Sequence, residues 1–234
     1  MGLSTSSHNN STMRISYEQE LPLIKRLYLR FLTIAGYLVP LVQSIPAWTG
    51  LMTLPFASYL ILLFANLPVN LPRALIDFFA PFHILEKACV VIGFIMLVSA
   101  TSYLVVQRAR GLIVSGPYGW VRHPQYLGMI LLTLGFTSWS VWILNNTFGI
   151  GFLNVSQTIG VWFIELLAYI LLANIEEQHL SRTYLEAFER YRERVPFFIP
   201  FMKTGRSMLD VILSILLPSL LLFGLVFFGQ ISPI

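Results

Sequence analysis

Between Arg30 and Arg73 the chain runs for 42 positions without a charged residue. In lipid, a backbone finds no water for its N–H and C=O groups, so such a run must close its hydrogen bonds internally as helix. Forty-two residues are enough for two helices of about 20 residues each, the length that crosses a bilayer core. Pro40, Pro46 and Pro55 are natural breaks and divide the run into helices near 31–47 and 51–66. Four further apolar runs fall in the same length class: Ile84–Gln107, Leu127–Asn145, Ser156–Ile175 and Met208–Gly229. The predicted fold is all-α, a polytopic membrane helical bundle with five to six transmembrane helices and a cytosolic amphipathic helix after the fifth run. The organisation that follows is a disordered or interfacial tail over 1–26, N-terminal membrane helices over 27–83, a core over 84–207 and a last transmembrane helix over 208–234.

Composition agrees with a membrane solvent. Only 11% of residues are charged and the mean hydropathy is +0.72, whereas about a quarter of a soluble domain is charged. The net charge of +4 comes from basic residues in the loops, where anionic headgroups and the positive-inside rule account for them without a nucleic-acid partner. Cys89 stands alone in an apolar run, which excludes a disulfide framework and a thiolate metal site. The four histidines have no ligand spacing, so no metal is expected. If 127–175 is a helical hairpin, the segments 107–124 and 176–207 share one side and together hold nine of the fifteen Lys and Arg residues. That side is expected to be the cytosol.

Those two segments are also the most polar, motif-like parts of the chain. In the first, His123 lies between Arg122 and Pro124 just before a helix start near Tyr126, because proline disfavours helix at the residue preceding it. Exposed N–H groups at such a start attract an anion, and Arg122 would reinforce them or simply anchor the helix. In the second, Glu176 and Glu177 end the apolar run, where carboxylates at a helix C-terminus are mildly unfavourable. A bound cation would offset that, as would the six basic residues that follow. Beyond them Leu180, Tyr184, Phe188, Tyr191 and Val195 form one apolar stripe of an interfacial helix, and VPFFIP could fold back over what that helix covers. Glu165 is the carboxylate well inside a span, which makes it a functional suspect: it lines a substrate path, or it is protonated and bonded to another helix.

Together the motifs resemble the signature of the isoprenylcysteine carboxyl methyltransferase family and its relatives, the phospholipid N-methyltransferases and related bacterial and archaeal membrane methyltransferases. The matching pattern is SGPY-x-x-VRHP-x-Y-x-G at Ser115–Gly128, then EE-x-x-L at Glu176–Leu180 and VP-x-x-IP at Val195–Pro200. The resemblance spans roughly 85–205. It implies a helical membrane enzyme that binds S-adenosyl-L-methionine in a cytosolic pocket, with a lipophilic acceptor entering from the bilayer. The cofactor contacts implied are Arg110, Gly111, Leu112, Ile113, Tyr118, His123, Pro124, Gln125, Tyr126 and Glu176, with Tyr103 as a weaker upstream position. The acceptor group implied is the carboxylate of a prenylated cysteine, or a lipid amine or thiol. An amine or thiol would need deprotonation, for which Glu165 and Glu177 are the candidates.

The sequence departs from that family at several places. Leu172 stands where the prenylcysteine enzymes carry an arginine for the acceptor carboxylate, Tyr184, Leu185 and Phe188 replace a usual Phe-Gly-x-x-Tyr, and Gly119 stands where Arg or Lys is common. A related element, R-H-P-x-Y-x-G, belongs to NADPH-dependent membrane sterol and steroid reductases. Those carry Asn and an acidic residue where this chain has Gln125 and Met129. The further alternative is a non-enzymatic membrane bundle.

Overall fold

The computed structural model describes residues 53–62, 83–107, 111–146, 153–202 and 207–231. All of them belong to one compact unit, Ile45–Ile234. The described residues form five α-helices: α1 (Thr53–Leu62), α2 (Ile84–Gln107), α3 (Pro124–Asn146), α4 (Val155–Arg194) and α5 (Ser207–Ile231). Four of them, α2 to α5, are long and apolar enough to cross a membrane, so the protein is a helical membrane bundle. The tail 1–26, the expected span 31–47 and Arg110 lie outside the described residues, and of the expected span 51–66 only α1 is described.

Local chemistry sets the helix ends. Pro124 opens α3, where its fixed φ suits the first turn and its missing N–H leaves nothing unsatisfied. The helix thus starts two residues before the expected Tyr126, and the His123 carbonyl accepts from Leu127 N at 3.1 Å. Asn154 and Gln157 cap α4 reciprocally, each side chain bonded to the other's backbone N–H at 2.9 Å. Val195, which precedes Pro196, adopts extended φ and ψ and ends that helix.

The 40 residues of α4 correct two sequence expectations. The helix does not stop at Ile175, so Glu176 and Glu177 stand inside it and meet no C-terminal dipole. The stripe from Leu180 onward begins on this same helix, and beyond the break at Leu185 it continues as a second helical piece. A kink at Leu185, with φ 41° and ψ −117°, turns that second part. Phe188, Tyr191 and Val195 are buried there against Leu112, Leu180 and Tyr184.

α3 is the most enclosed helix and packs most extensively on α2. Their backbones approach at Gly93 and Gly128: a Cβ on Gly93 would lie 2.5 Å from Leu132 N, and one on Gly128 2.7 Å from Leu97 N. Small residues permit such contact between helices in lipid, where apolar burial from water drives nothing. The outer faces of α2 and α5 remain apolar, with Ile92, Ile95, Val98, Phe223 and Phe227 exposed. Lipid is the solvent that suits them.

Candidate functional site

The turn between α2 and α3 is fastened from three directions. Gly116 has φ +62°, and a Cβ there would meet the Tyr103 ring at 2.8 Å. Tyr103 is thereby held against the turn, and its hydroxyl bonds Ser115 Oγ at 2.7 Å. From α4, the Tyr191 hydroxyl donates to the Tyr118 carbonyl at 2.8 Å. Tyr118 is buried, and its hydroxyl donates to Gln125 Oε1 at 2.7 Å on the first turn of α3. Burial, with Glu176 and Tyr191 nearby, raises the Tyr118 phenol above its usual range and keeps it a donor.

Arg122 ties the next layer together. Its backbone N–H donates to the carbonyls of Pro196 at 2.9 Å and Phe197 at 3.2 Å, which draws VPFFIP back over the turn. Its Nη1 donates to Glu177 Oε1 at 2.6 Å and its Nη2 to Asp210 Oδ2 at 3.0 Å. The guanidinium also lies 5.2 Å from the Phe197 ring centroid. Arg122 therefore does not stand free to reinforce an anion site. It joins the turn, α4, the C-terminal fold-back and α5, with only Nε unpaired.

His123 is buried at the centre. Its ring stacks on Tyr126, with centroids 5.6 Å apart, and receives the edges of Phe197 at 5.2 Å and Phe198 at 5.8 Å. Nε2 lies 3.2 Å from Glu177 Oε1 and Nδ1 lies 3.4 Å from Glu176 Oε2. Burial disfavours a charged imidazole, but hydrogen bonding and charge from both glutamates outweigh it and raise the His123 pKa. Three carboxylates, Glu176, Glu177 and Asp210, thus face Arg122 and, when protonated, His123. Arg192 lines the cavity beside Arg122, Glu177 and Asp210 as a second arginine.

One buried polar atom here, Gln125 Nε2, has no hydrogen-bond partner, while Glu176 serves both His123 Nδ1, at 3.4 Å, and the Tyr126 hydroxyl. Glu176 acts electrostatically on both Tyr118 and Tyr126, so these groups share one locality. An unmade hydrogen bond in a buried site is unfavourable, and such groups commonly mark where a ligand binds.

The structure gathers Tyr118, His123, Gln125, Tyr126, Glu176 and Glu177, with Pro124 opening the helix beneath them. Gly111, at φ +86°, lies beside Tyr184, and Leu112 joins the Phe188 cluster, which places that strand of the turn under the second part of α4. Ile113 is half-buried next to it. Glu177 Oε1 is held by Arg122 and His123, which suits a positioning group better than a proton acceptor. Glu165 stands apart, one turn deeper than Tyr169, whose ring meets Tyr126 at 5.4 Å. Asp210, Tyr169 and the phenylalanines as partners of His123 were not expected from sequence. A lone acid in the first turn of an apolar run looks like a helix-dipole partner, and only the fold brings it to Arg122.

No protein-family model matches the chain. No solved structure matches it. Among curated proteins it is similar to Delta(14)-sterol reductase LBR of Gallus gallus, 37% identical over 100 residues, which is 41% of this chain. The chain spans only 14% of that relative's length.

Proposed function

We propose that this membrane protein transfers a methyl group from S-adenosyl-L-methionine to a lipophilic acceptor. The observation that carries the proposal is the buried polar set around His123, in which Glu176 faces His123 and Tyr126 and Gln125 Nε2 is left without a partner. A ligand with an α-amino acid end and a net positive charge would satisfy that set. Glu176, partly exposed beside His123 and Tyr126, is an acceptor for an ammonium, while Gln125 Nε2 is a donor available to a carboxylate. The residues present therefore fit the cofactor that the sequence motifs imply. When bound, it would supply an electrophilic methyl on a sulfonium, open to in-line attack by the acceptor with the neutral thioether as leaving group.

The chain's own task is then alignment and exclusion of water rather than acid–base chemistry. Tyr126, Phe197 and Phe198 close on His123 from three sides and keep water from it. Glu177 and Asp210 fix Arg122, and Arg122 holds the VPFFIP fold-back in place. We place this side of the bundle in the cytosol, on the density of basic residues in its segments.

A second reading is an NADPH-dependent membrane sterol or steroid reductase. The similarity to a sterol reductase favours it, more directly than any comparison favours methyl transfer. Charge weighs against it: NADPH brings a diphosphate and a further phosphate, whereas the site offers three carboxylates and an arginine already paired to two of them. Arg192, which lines the adjoining cavity with Arg122, Glu177 and Asp210, is the cation left for a phosphate there.

The test is calorimetric titration of the detergent-purified full chain with each cofactor, repeated on Glu176→Gln and Gln125→Leu. The expected result is saturable binding of S-adenosyl-L-methionine, weakened in both variants, and none of NADPH. Binding of NADPH alone would overturn the proposal for the reductase, and binding of neither would leave a non-enzymatic bundle.

A further inference from the structure

Two clefts meet at the first turn of α5, and Phe197 and Asp210 line both. Each has an empty volume of about 170 Å³. The first is polar, bounded by Arg122, Asn174, Glu177 and Arg192 as well as Asp210. The second is mostly apolar, bounded by Phe198, Ile199, Met202 and Leu213. In the polar cleft the acids are already engaged: Glu177 Oε1 and Asp210 Oδ2 accept from Arg122 Nη1 and Nη2 at 2.6 and 3.0 Å. Asn174 donates its amide N–H to the Ile170 carbonyl at 2.7 Å. Two arginines against two acids leave the cleft neutral in sum, and His123, when protonated, offsets Glu177 further. The unused donors are cationic. Arg122 Nε, on a side chain only 3% exposed, has no hydrogen-bond partner among the described residues. Arg192 is tied only by a partly exposed contact to Glu189 at 3.6 Å, which holds a side chain weakly. An oxyanion is the partner that satisfies both arginines at once.

Depth in the membrane selects the kind of oxyanion. Asp210 lies in the first turn of a helix that crosses the bilayer, so the polar cleft is at the level of the lipid headgroups. Leu213 is one turn further in, and Leu209, Ile212 and Leu216 of the same helix are exposed to lipid beside it. A polar seat at headgroup depth that adjoins an apolar cleft matches a phospholipid, its phosphate outermost and an acyl chain directed inward. A soluble anion would leave the apolar cleft unfilled.

We infer that these joined clefts seat an anionic membrane phospholipid, with Arg192 and Arg122 Nε donating to its phosphate and one acyl chain lying along Leu213. This lipid is a bound component of the protein and not the methyl acceptor, and its seat does not depend on the methyl-donor proposal above. Phe197 and Phe198, whose edges close on His123, are walls of the clefts. A seated lipid therefore braces the VPFFIP fold-back over the site.

The test uses the full chain purified in dodecyl maltoside, a detergent without phosphate. It is titrated with dioctanoyl phosphatidylglycerol, which has a phosphate and no amine, and with dioctanoylglycerol, inorganic phosphate and NADPH. The variants are Arg192→Gln, Leu213→Trp to fill the apolar cleft and, as a control of equal charge, Arg190→Gln, an exposed residue of α4 that lines neither cleft. Phosphatidylglycerol is expected to bind the wild type saturably and to raise its melting temperature. Its affinity should fall about tenfold in Arg192→Gln, the loss of a hydrogen bond between charged groups, fall also in Leu213→Trp, and stay unchanged in Arg190→Gln. Arg192→Gln keeps the Arg122 hub, so without lipid it should melt with the wild type. Equal losses in Arg192→Gln and Arg190→Gln would reduce the effect to surface charge and overturn the inference. Dioctanoylglycerol binding as tightly as phosphatidylglycerol would overturn it too, because no phosphate would then be recognised. Arg192-dependent binding of NADPH or inorganic phosphate, with phosphatidylglycerol indifferent to the substitution, would overturn it by giving the cleft to a soluble phosphate.

Discussion

Replacing Leu185 by glycine should stabilise the protein. Leu185 sits at φ 41° and ψ −117° inside α4, a region open to glycine and strained for a side chain with a β-carbon. Such a residue is destabilising by about 1–3 kcal/mol. The leucine side chain recovers little of that through packing, because it is 67% exposed. Glycine removes the strain and loses roughly 0.5–1 kcal/mol to the greater freedom of the unfolded chain. The net gain is about 1 kcal/mol, which for a chain of this size raises the melting temperature by roughly 2–4 °C. The assay is thermal unfolding followed by tryptophan fluorescence in detergent, with Leu185→Ala as the control that keeps the β-carbon. A rise in Leu185→Gly and none in Leu185→Ala supports the kink as a strained joint that carries Phe188 and Tyr191 onto the turn between α2 and α3. No change in Leu185→Gly, or an equal rise in both, would refute the reasoning.

Other predictions concern packing, the arginine hub and pH. Gly128→Ala should destabilise by about 1–3 kcal/mol, the usual range for overpacking, because the new Cβ would press on the backbone of α2. Gly160→Ala, in open space on α4, should instead stabilise by up to about 1 kcal/mol through helix propensity; the two melts decide it. Arg122→Met leaves Glu177 and Asp210 without their shared cation and should lower stability by about 3–5 kcal/mol. Substituting Asp210→Asn in that background should restore part of the loss, read as coupling in a double-mutant cycle. For pH, the His123 pKa is raised on folding, so the folded state holds its proton longer than the unfolded chain. The resulting stability is complete below about pH 6.5, the ordinary histidine value, and is lost as pH rises through the folded-state value. Melting temperature should therefore fall from pH 6 upward through that value, and His123→Gln should flatten the slope.

The helices α2, α3 and α5 were legible because apolar runs bounded by charge or proline have few other solutions in lipid. The continuation of α4 was not. Glu176 and Glu177 look like the end of a span, and they continue the helix only because Arg122 and His123 approach from elsewhere in the chain. The kink has a similar history: Leu185 was visible as a departure from a familiar glycine, but a backbone angle has no sequence signature of its own. Of the site, His123, Gln125, Tyr126 and the two glutamates could be picked out from motifs. Asp210 and the Phe197 and Phe198 edges around His123 could not, because each depends on long-range contacts. Glu165 was conspicuous as an intramembrane carboxyl, and the structure sets it against Thr133 of α3, which only the fold brings near.

The central claim is methyl transfer at the His123–Glu176 site. Its most direct test is to incubate the reconstituted protein with methyl-labelled S-adenosyl-L-methionine and a total membrane lipid extract, and to count label in the organic phase. A parallel sample with NADPH and a mixture of unsaturated sterols is assayed for reduction. The account predicts label in lipid, abolished in Glu176→Gln, and no sterol reduced. Unlabelled lipid together with NADPH-dependent loss of a sterol double bond would contradict it.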